Sequence, residues 1–287
     1  MWILFAFGSA FFAGITAVLA KCGVENVDSD VATALRTIIV LIFSWIMVFV
    51  TGGNTDISSV SFKTWVFLIL SGMATGASWL CYFKALQQGD INKVAPIDKS
   101  SAIITMILAI IFLNEALTAL KAVSIVLIAA GTYMMIEKKQ VSQNTNYKSS
   151  WLLFALASAF FAALTSILGK VGIENIDSNL GTAIRTFVVL IMAWIVVFVK
   201  GKAYDLRHID VKSILFIVLS GIATGCSWLC YYRALQGGPA SVVVPIDKLS
   251  ILVTILFSYI VFKERLTKKS LLGLILIVIG TLLLLVP

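Results

Sequence analysis

Apolar residues along this chain gather into runs of about 20, separated by short polar stretches. A helix needs about 20 apolar residues to cross a hydrocarbon core of about 30 Å. In the first half of the chain these runs fall at residues 2–20, 31–51, 64–86, 94–113 and 117–136. The pattern predicts a series of helices that each span a membrane.

The second half of the chain repeats the first at an offset of 149 residues. Residues 69–86 match residues 218–235 at 13 of 18 positions, and the stretch between the copies is polar, as is typical of a linker. Five spans per half is an odd number, so the second half enters the membrane in the opposite orientation. We predict an all-α membrane protein whose ten transmembrane helices form two five-helix inverted-topology repeats, residues 2–137 and 151–286, joined by a cytoplasmic linker at residues 138–150.

Composition excludes a water-soluble protein, because 60% of the 287 residues are hydrophobic and 13% are charged, against about a quarter charged in soluble domains. When sides are assigned by alternation, 14 Lys and Arg fall on the side of the linker and 4 on the opposite side. The positive-inside rule makes the linker side cytoplasmic. We therefore expect a multi-pass protein of a prokaryotic plasma membrane with both termini outside, and the net charge of +8 is largely a topology signal.

The chain lacks the residues that several classes of enzyme need for catalysis. The single histidine, His208, falls in a predicted loop, so neither a histidine metal site nor a serine–histidine pair can be built inside the membrane. No phosphate-binding Gly-Lys-Ser or Gly-Lys-Thr loop occurs. The sequence predicts no enzyme, no metal site and no cofactor, and leaves a proton or ion gradient as the energy source.

Polar and ionisable residues inside a bilayer are costly, which makes them functional candidates. Each half carries the same set: an arginine in the second span, a tryptophan and a tyrosine in the third, and a Pro-Ile-Asp-Lys run in the fourth. The first half contributes Arg36, Trp79, Tyr82, Pro96, Asp98 and Lys99, and the second half contributes Arg185, Trp228, Tyr231, Pro245, Asp247 and Lys248.

The sequence leaves two interpretations for most of these residues. Proline either frees a carbonyl one turn earlier for a ligand, near Asn92 and Ser241, or marks a first helical turn. The lysines either bind substrate or extend to the membrane interface. For the aspartates, a functional role such as proton coupling is favoured. Adjacent Asp and Lys side chains project about 100° apart, so they cannot face one partner.

Two interpretations are open for the arginines as well. An ion pair with the aspartate of the same half is favoured over binding of a substrate carboxylate or phosphate. One excess positive charge per half favours a substrate with an anionic group.

The third span of each half adds a packing motif and an aromatic pair. Glycines four residues apart, Gly72 and Gly76 in the first half, favour close helix packing. The tryptophan lies deep enough to line a cavity, and the tyrosine lies near the helix end, which favours the aromatic belt at the membrane interface.

The order of segments and two motifs resemble the EamA-type branch of the drug/metabolite transporter superfamily over nearly the whole chain. The third spans end in Tyr82-Phe-Lys84-Ala-Leu86 and Tyr231-Tyr-Arg233-Ala-Leu235, and the fourth spans end in Asn114-Glu115-Ala-Leu-Thr118 and Lys263-Glu264-Arg-Leu-Thr267. In the family a glycine usually precedes this glutamate, whereas in this chain Asn114 and Lys263 occupy that position. The resemblance implies a ten-helix exporter or exchanger with a central cavity formed mainly by the first four helices of each half. It also implies that the glutamate caps or braces its turn.

Family members carry amino acids, drugs, sugars and nucleotide derivatives, so the resemblance does not fix the substrate. We expect a secondary active transporter that works by alternating access on a small polar or amphipathic metabolite. A channel or a flippase for lipids or lipid-linked sugars is the alternative on the same scaffold. The expected partners are the substrate and the lipid bilayer, with no nucleic acid, and a monomer is the default with a homodimer as the alternative.

Overall fold

The computed structural model describes residues 1–23, 27–51, 57–88, 94, 97, 100–135, 151–204, 209–262 and 267–286, and all regular structure within them is helical. The first half contains α1 (Trp2–Gly23), α2 (Ser29–Val50), α3 (Phe62–Gln88), α4 (Ser101–Phe112) and α5 (Ala119–Met134), with a 3₁₀ turn at Ile57–Ser59. The second half contains α6 (Trp151–Gly172), α7 (Ser178–Val199), α8 (Val211–Gly237), α9 (Ala240–Lys248), α10 (Ser250–Phe262) and α11 (Lys268–Leu283).

Seven helical segments in the described part of the chain are long and apolar enough to cross a membrane: α1, α2, α3, α6, α7, α8, and α9 together with α10. Helices α4 and α5 are shorter apolar helices. Large apolar side chains lie exposed on the outside, including Phe49 at 68% and Phe62 at 83% exposure. Apolar surface of this kind requires lipid around it, so the protein is an integral, multi-pass membrane protein.

Helix starts recur at the same offset in both halves because the capping residues recur. Asp28 accepts backbone hydrogen bonds from Asp30 and Val31 at the start of α2, and Asp177 accepts those of Asn179 and Leu180 at the start of α7. Thr118 and Thr267, which close the two Glu-x-Leu-Thr motifs, cap α5 and α11. The threonine of this motif is therefore an N-cap residue, which satisfies backbone N–H groups that the first helical turn leaves unpaired.

The core lies between the halves, and the main helix pairs are unchanged when the halves are exchanged. Helix α1 packs along α8 and α3 packs along α6, while α2 packs against α7 and α5 against α11. Equivalent hydrogen bonds join both pairs: Ser227 donates to the Ser9 carbonyl at 3.1 Å, and Ser78 donates to the Ser158 carbonyl at 3.0 Å. The two halves form one interdigitated body.

Helices α2 and α7 occupy equivalent positions and run antiparallel. At one end, the start of α2 meets the end of α7 through ion pairs of Asp30 with Lys200, at 2.7 Å, and of Asp28 with Lys202. At the other end, Asn179 of α7 donates to Thr51 after α2 at 3.1 Å. Lys200 and Lys202, which follow directly on α7, thus join the two halves through ion pairs.

The ion pair changes the acidity of Asp28. Partial burial acts to raise the pKa of this carboxyl, but the Lys202 ammonium and the N–H groups of Asp30 and Val31 outweigh it, so the pKa lies below its ordinary value of 3.8. Asp28 is therefore charged at neutral pH, as both the helix cap and the ion pair require.

The glycines of the third span act in packing, as the sequence favoured. A Cβ at Gly72 would lie 2.7 Å from the Cβ of Val188, and one at Gly76 would lie 2.5 Å from the Cε of Met192. Their repeats Gly221 and Gly225 lie against Ile39 and Phe43 of α2 in the same manner. Contacts this short exclude a side chain at these positions without movement of the neighbouring helix.

The fourth predicted span of the second half, in which a proline was expected to strain the helix, is divided into two helices. Helix α9 ends at Lys248, Leu249 is its C-cap, and α10 begins at Ser250. Its counterpart in the first half is described from Ser100 onward, with residues 94 and 97. Asn92, Pro96, Asp98, Lys99, Lys263, Glu264 and the linker at residues 138–150 lie outside the described residues.

Candidate functional site

The guanidinium of Arg185 lies at a junction of three helices and is only 2% exposed. Its Nε donates to Ser71 Oγ at 3.0 Å, and its Nη2 donates to Thr75 Oγ1 at 2.6 Å. The guanidinium carbon lies 5.0 Å from the centroid of the Trp228 ring and 4.9 Å from that of Tyr232. One cation of α7 thus joins α3 of the first half to α8 of the second through hydrogen bonds and cation–π contacts.

The helical repeat explains how these groups converge. Ser71 and Thr75 are four residues apart on α3, so both hydroxyls lie on one face. Gly72 allows α3 to approach α7, because a Cβ there would lie 3.2 Å from the Arg185 carbonyl oxygen. Trp228 and Tyr232 have the same four-residue spacing on α8.

One nitrogen of this guanidinium lacks a hydrogen-bond partner among the residues that the structure describes. Arg185 Nη1 is buried and bonds to none of them, although a guanidinium carries five N–H donors. A buried donor without a partner is costly, and more so when it is charged. An anionic group is the partner that would compensate both the missing hydrogen bond and the charge.

The favoured ion pair between Arg185 and Asp247 is wrong for this structure. Both residues are described, and Arg185 bonds to two hydroxyls instead, while Asp247 accepts from Ser9 Oγ at 2.5 Å. Ser9 lies on α1, so Asp247 is tied to the first half as well. The equivalent pairing of Arg36 with Asp98 involves a residue outside those described.

Asp247 of α9 accepts from Ser9 of α1 and is partly exposed. Lys248, its neighbour, is exposed, so the two side chains have different surroundings, as their helical spacing predicts.

Pro245 is buried inside α9 and has no N–H to donate. Backbone groups left unpaired by a break inside a span need a protein or cavity partner; a ligand at the Ser241 carbonyl stays a prediction.

The two tyrosines of α8 lie inside the protein. Tyr231 donates to Ser166 of α6 at 2.8 Å, so its assignment to the interfacial belt is wrong. Trp228 contacts the arginine of its own half, and its place at a cavity stays a prediction. Tyr232 is 2% exposed and was missed, because nothing in the sequence distinguishes its face of α8 from that of Tyr231.

The candidate residues of the first half do not assemble in the same way. Arg36 is partly exposed and donates to Thr33 of its own helix at 3.0 Å. Trp79 packs against apolar residues that include Val31, and Tyr82 packs against Ala85 and its neighbours. The structure therefore brings together the second-half set around Arg185 and Asp247, and it leaves Arg36 apart.

Sequence reasoning missed the hydroxyl partners, namely Ser9, Ser71, Thr75 and Ser166. Small hydroxyl residues are common in membrane helices, where they can bond to their own backbone, so they carry a weak signal singly. Ser71 and Thr75 recur as Ser220 and Thr224 at the repeat offset, and that recurrence on one helix face was the available indication.

Glu115 forms a second junction between the halves. Its carboxylate accepts from the backbone N–H of Ala240 at 2.6 Å and of Ser241 at 3.0 Å, and also from the Ser241 hydroxyl. Lys121 and Lys170 lie 3.9 Å away. The resemblance implied a glutamate that caps or braces its own turn; it caps α9 of the other half, where a carboxylate is favoured by the helix dipole.

The backbone conformation of the residue before this glutamate explains why an asparagine is accepted there. Asn114 has a backbone φ of +52°, a left-handed conformation that glycine adopts freely and asparagine tolerates better than most residues. Asparagine can therefore replace the usual glycine at this position without losing the turn.

The sequence model of the EamA-like transporter family matches residues 1–137 and again residues 149–286. The chain belongs to the EamA-like transporter family. Membership points to transport across a membrane rather than to catalysis.

Among relatives, an uncharacterized transporter in the cobO 3′ region of Sinorhizobium sp is 44% identical over 134 residues, which are 47% of this chain and 95% of that protein. An uncharacterized protein of Methanocaldococcus jannaschii is 28% identical over 133 residues, 46% of this chain and 94% of its own. These two relatives have about the length of one half of this chain. A solved crystal structure superposes with a TM-score of 0.77 at 16% identity, covering 98% of this chain and 95% of that one, which shows a shared fold.

Proposed function

We propose that this protein is a secondary active transporter that exports or exchanges a small polar or amphipathic metabolite, such as an amino acid or a drug-like compound. It acts in a prokaryotic plasma membrane by alternating access, in which two inverted five-helix repeats open a central site to each side in turn. The linker side is cytoplasmic and both termini face outward. The working unit is a monomer, with a homodimer as the alternative.

The observation that carries this proposal is the buried guanidinium of Arg185 between the two halves. A charge inside the membrane costs several kcal/mol by most estimates, and this one bonds to Ser71 and Thr75 of the opposite half. A relative movement of the halves must break these bonds. The site is therefore coupled to the movement that alternating access requires.

The packing of equivalent helices supports an inverted repeat. Helices α2 and α7 are equivalent in sequence. The start of α2 contacts the end of α7, and the start of α7 contacts the end of α2. The hydrogen bonds between α1 and α8 recur between α6 and α3. These relations support a two-fold arrangement of the halves, which in an inverted repeat has its axis in the membrane plane.

Counterflow into liposomes tests the proposal. Purified protein is reconstituted with an unlabelled compound inside, and uptake of the same radiolabelled compound is measured for amino acids, organic cations and organic anions. We expect saturable uptake for at least one class that requires the internal compound. Arg185→Gln should reduce it at least tenfold, whereas Arg233→Gln, at an exposed arginine that bonds Gln236, should leave it unchanged.

Uptake that neither saturates nor responds to internal compound would contradict a carrier and favour the channel or flippase. Proton coupling is tested separately with Asp98→Asn and Asp247→Asn in one protein. That variant should lose flux driven by a pH gradient while keeping its size-exclusion profile, and retained pH-driven flux would exclude the aspartates as proton sites.

A further inference from the structure

Several equivalent positions of the two halves differ in exposure, including the two arginines and residues of the helices that pack against them. Arg185 is 2% exposed whereas Arg36 is partly exposed. Ser166 is buried whereas Ala17, its equivalent on α1, is exposed, and Thr75 is buried whereas Thr224 is partly exposed. Arg185, Ser166 and Thr75 are therefore more buried than their equivalents Arg36, Ala17 and Thr224.

The hydrogen bonds differ in the same direction. Ser71 and Thr75 accept from Arg185, but their equivalents on α8 do not accept from Arg36. Ser220 donates to the Ile217 carbonyl of its own helix at 2.8 Å, and Thr224 donates to the Ser220 carbonyl at 2.7 Å. Within the described part of the chain, the Nε and Nη1 of Arg36 have no hydrogen-bond partner.

We propose that Arg36 and Arg185 are two equivalent anion-binding sites that work in alternation, each binding the carboxylate or phosphate group of the substrate when it is accessible. In the described conformation Arg36 is the more exposed of the two arginines, and Arg185 is bound by the serine and threonine of α3. In the opposite conformation Arg36 bonds to Ser220 and Thr224, and Arg185 is released. This inference rests on the proposed function and narrows its substrate to solutes that carry an anionic group.

The chemistry of the arginine supports an anionic ligand. A guanidinium presents a rigid fork of donors that fits carboxylate and phosphate in a bidentate manner. Arg185 keeps Nη1 without a partner among the described residues even when the serine and threonine bind it, so they do not saturate it. The hydroxyls therefore act as a replaceable partner for the cation rather than as a permanent structural bond.

Binding to the purified full-length protein tests the anionic class. The thermal unfolding midpoint is measured with benzoate, inorganic phosphate or tetramethylammonium at matched ionic strength. We expect benzoate or phosphate to raise the midpoint saturably, Arg36→Gln to abolish that rise, and Arg233→Gln to keep it. Stabilisation by tetramethylammonium alone, by none of the three, or equally in Arg36→Gln would overturn the proposal, even if counterflow of another solute still supported a carrier.

Thiol labelling tests the alternation. In a variant without native cysteines, Ala17→Cys and Ser166→Cys are reacted separately with a membrane-impermeant maleimide. We expect Ala17→Cys to react at least tenfold faster, and Thr75→Val to accelerate labelling of Ser166→Cys while Thr224→Val does not. Equal acceleration by both valine substitutions, or by neither, would contradict the alternation between the two arginines. Loss of counterflow while anion binding is retained would instead contradict the proposed transporter function.

Discussion

Substitution of one hydroxyl on α3 separates the Arg185 site from ordinary helix packing. Ser71→Ala removes an oxygen that accepts from Arg185 Nε at 3.0 Å and donates to the Thr165 carbonyl at 2.7 Å. The repeat supplies the control, since Ser220→Ala is the same change at the same place on α8. Ser220 donates within its own helix and joins no second helix through that bond.

The magnitude depends on which hydrogen bonds are lost. A bond to a charged group contributes about 1.5–3 kcal/mol, whereas bonds between membrane helices average about 0.6 kcal/mol. Because Ser71→Ala leaves a buried Arg185 donor unpaired, we expect the upper range, a loss of about 1.5–3 kcal/mol. That lowers the folding equilibrium constant by roughly one to two orders of magnitude. Ser220→Ala should stay within about 0.5 kcal/mol of the wild type.

The free energy of unfolding is measured by titration with a denaturing detergent in mixed micelles, followed by tryptophan fluorescence. Helical content by circular dichroism controls for loss of the fold. Equal losses in the two variants would refute the reasoning, because they would show that the Arg185 contact adds nothing to the packing that both serines share.

Further substitutions test the junctions and turns by the same titration. Asn114→Gly should stabilise by up to about 1 kcal/mol and Asn114→Val should destabilise by about 1–2 kcal/mol, since a left-handed φ is costly for a branched residue. Glu115→Gln should cost about 1–3 kcal/mol, because it removes the charge and one acceptor oxygen at the start of α9; no loss would exclude the cap. Gly72→Ala should cost about 1–3 kcal/mol by overpacking against α7, and an unchanged stability would mean that the helices separate freely. The pKa of Asp28 is lowered in the folded state, so its stabilisation is present above the unfolded value of about 3.8 and is lost as the pH falls through the folded value; Lys202→Gln should weaken this acid loss, which begins near the unfolded value and is complete below the folded one.

The sequence predicted the parts of the site that have a local signal. An arginine, an aspartate or a proline inside an apolar run is conspicuous because the membrane makes it costly, and Arg185, Asp247 and Pro245 were found for that reason. Their partners were not predicted. The pairing of Arg185 with Ser71 and Thr75, rather than with Asp247, depends on how closely Gly72 lets α3 approach α7. That distance is a property of two helices far apart in the chain.

The sequence by itself determined that the chain is helical, that it crosses a membrane several times and that it is built from a repeated unit. Those properties follow from runs of apolar residues, from capping residues and from the 149-residue offset, all of which are local or self-comparative. Only the tertiary structure decided which equivalent residues are buried and which are accessible. Arg36 and Arg185 have nearly the same neighbours in sequence, and their different exposure arises because two similar halves pack against each other in a single asymmetric conformation.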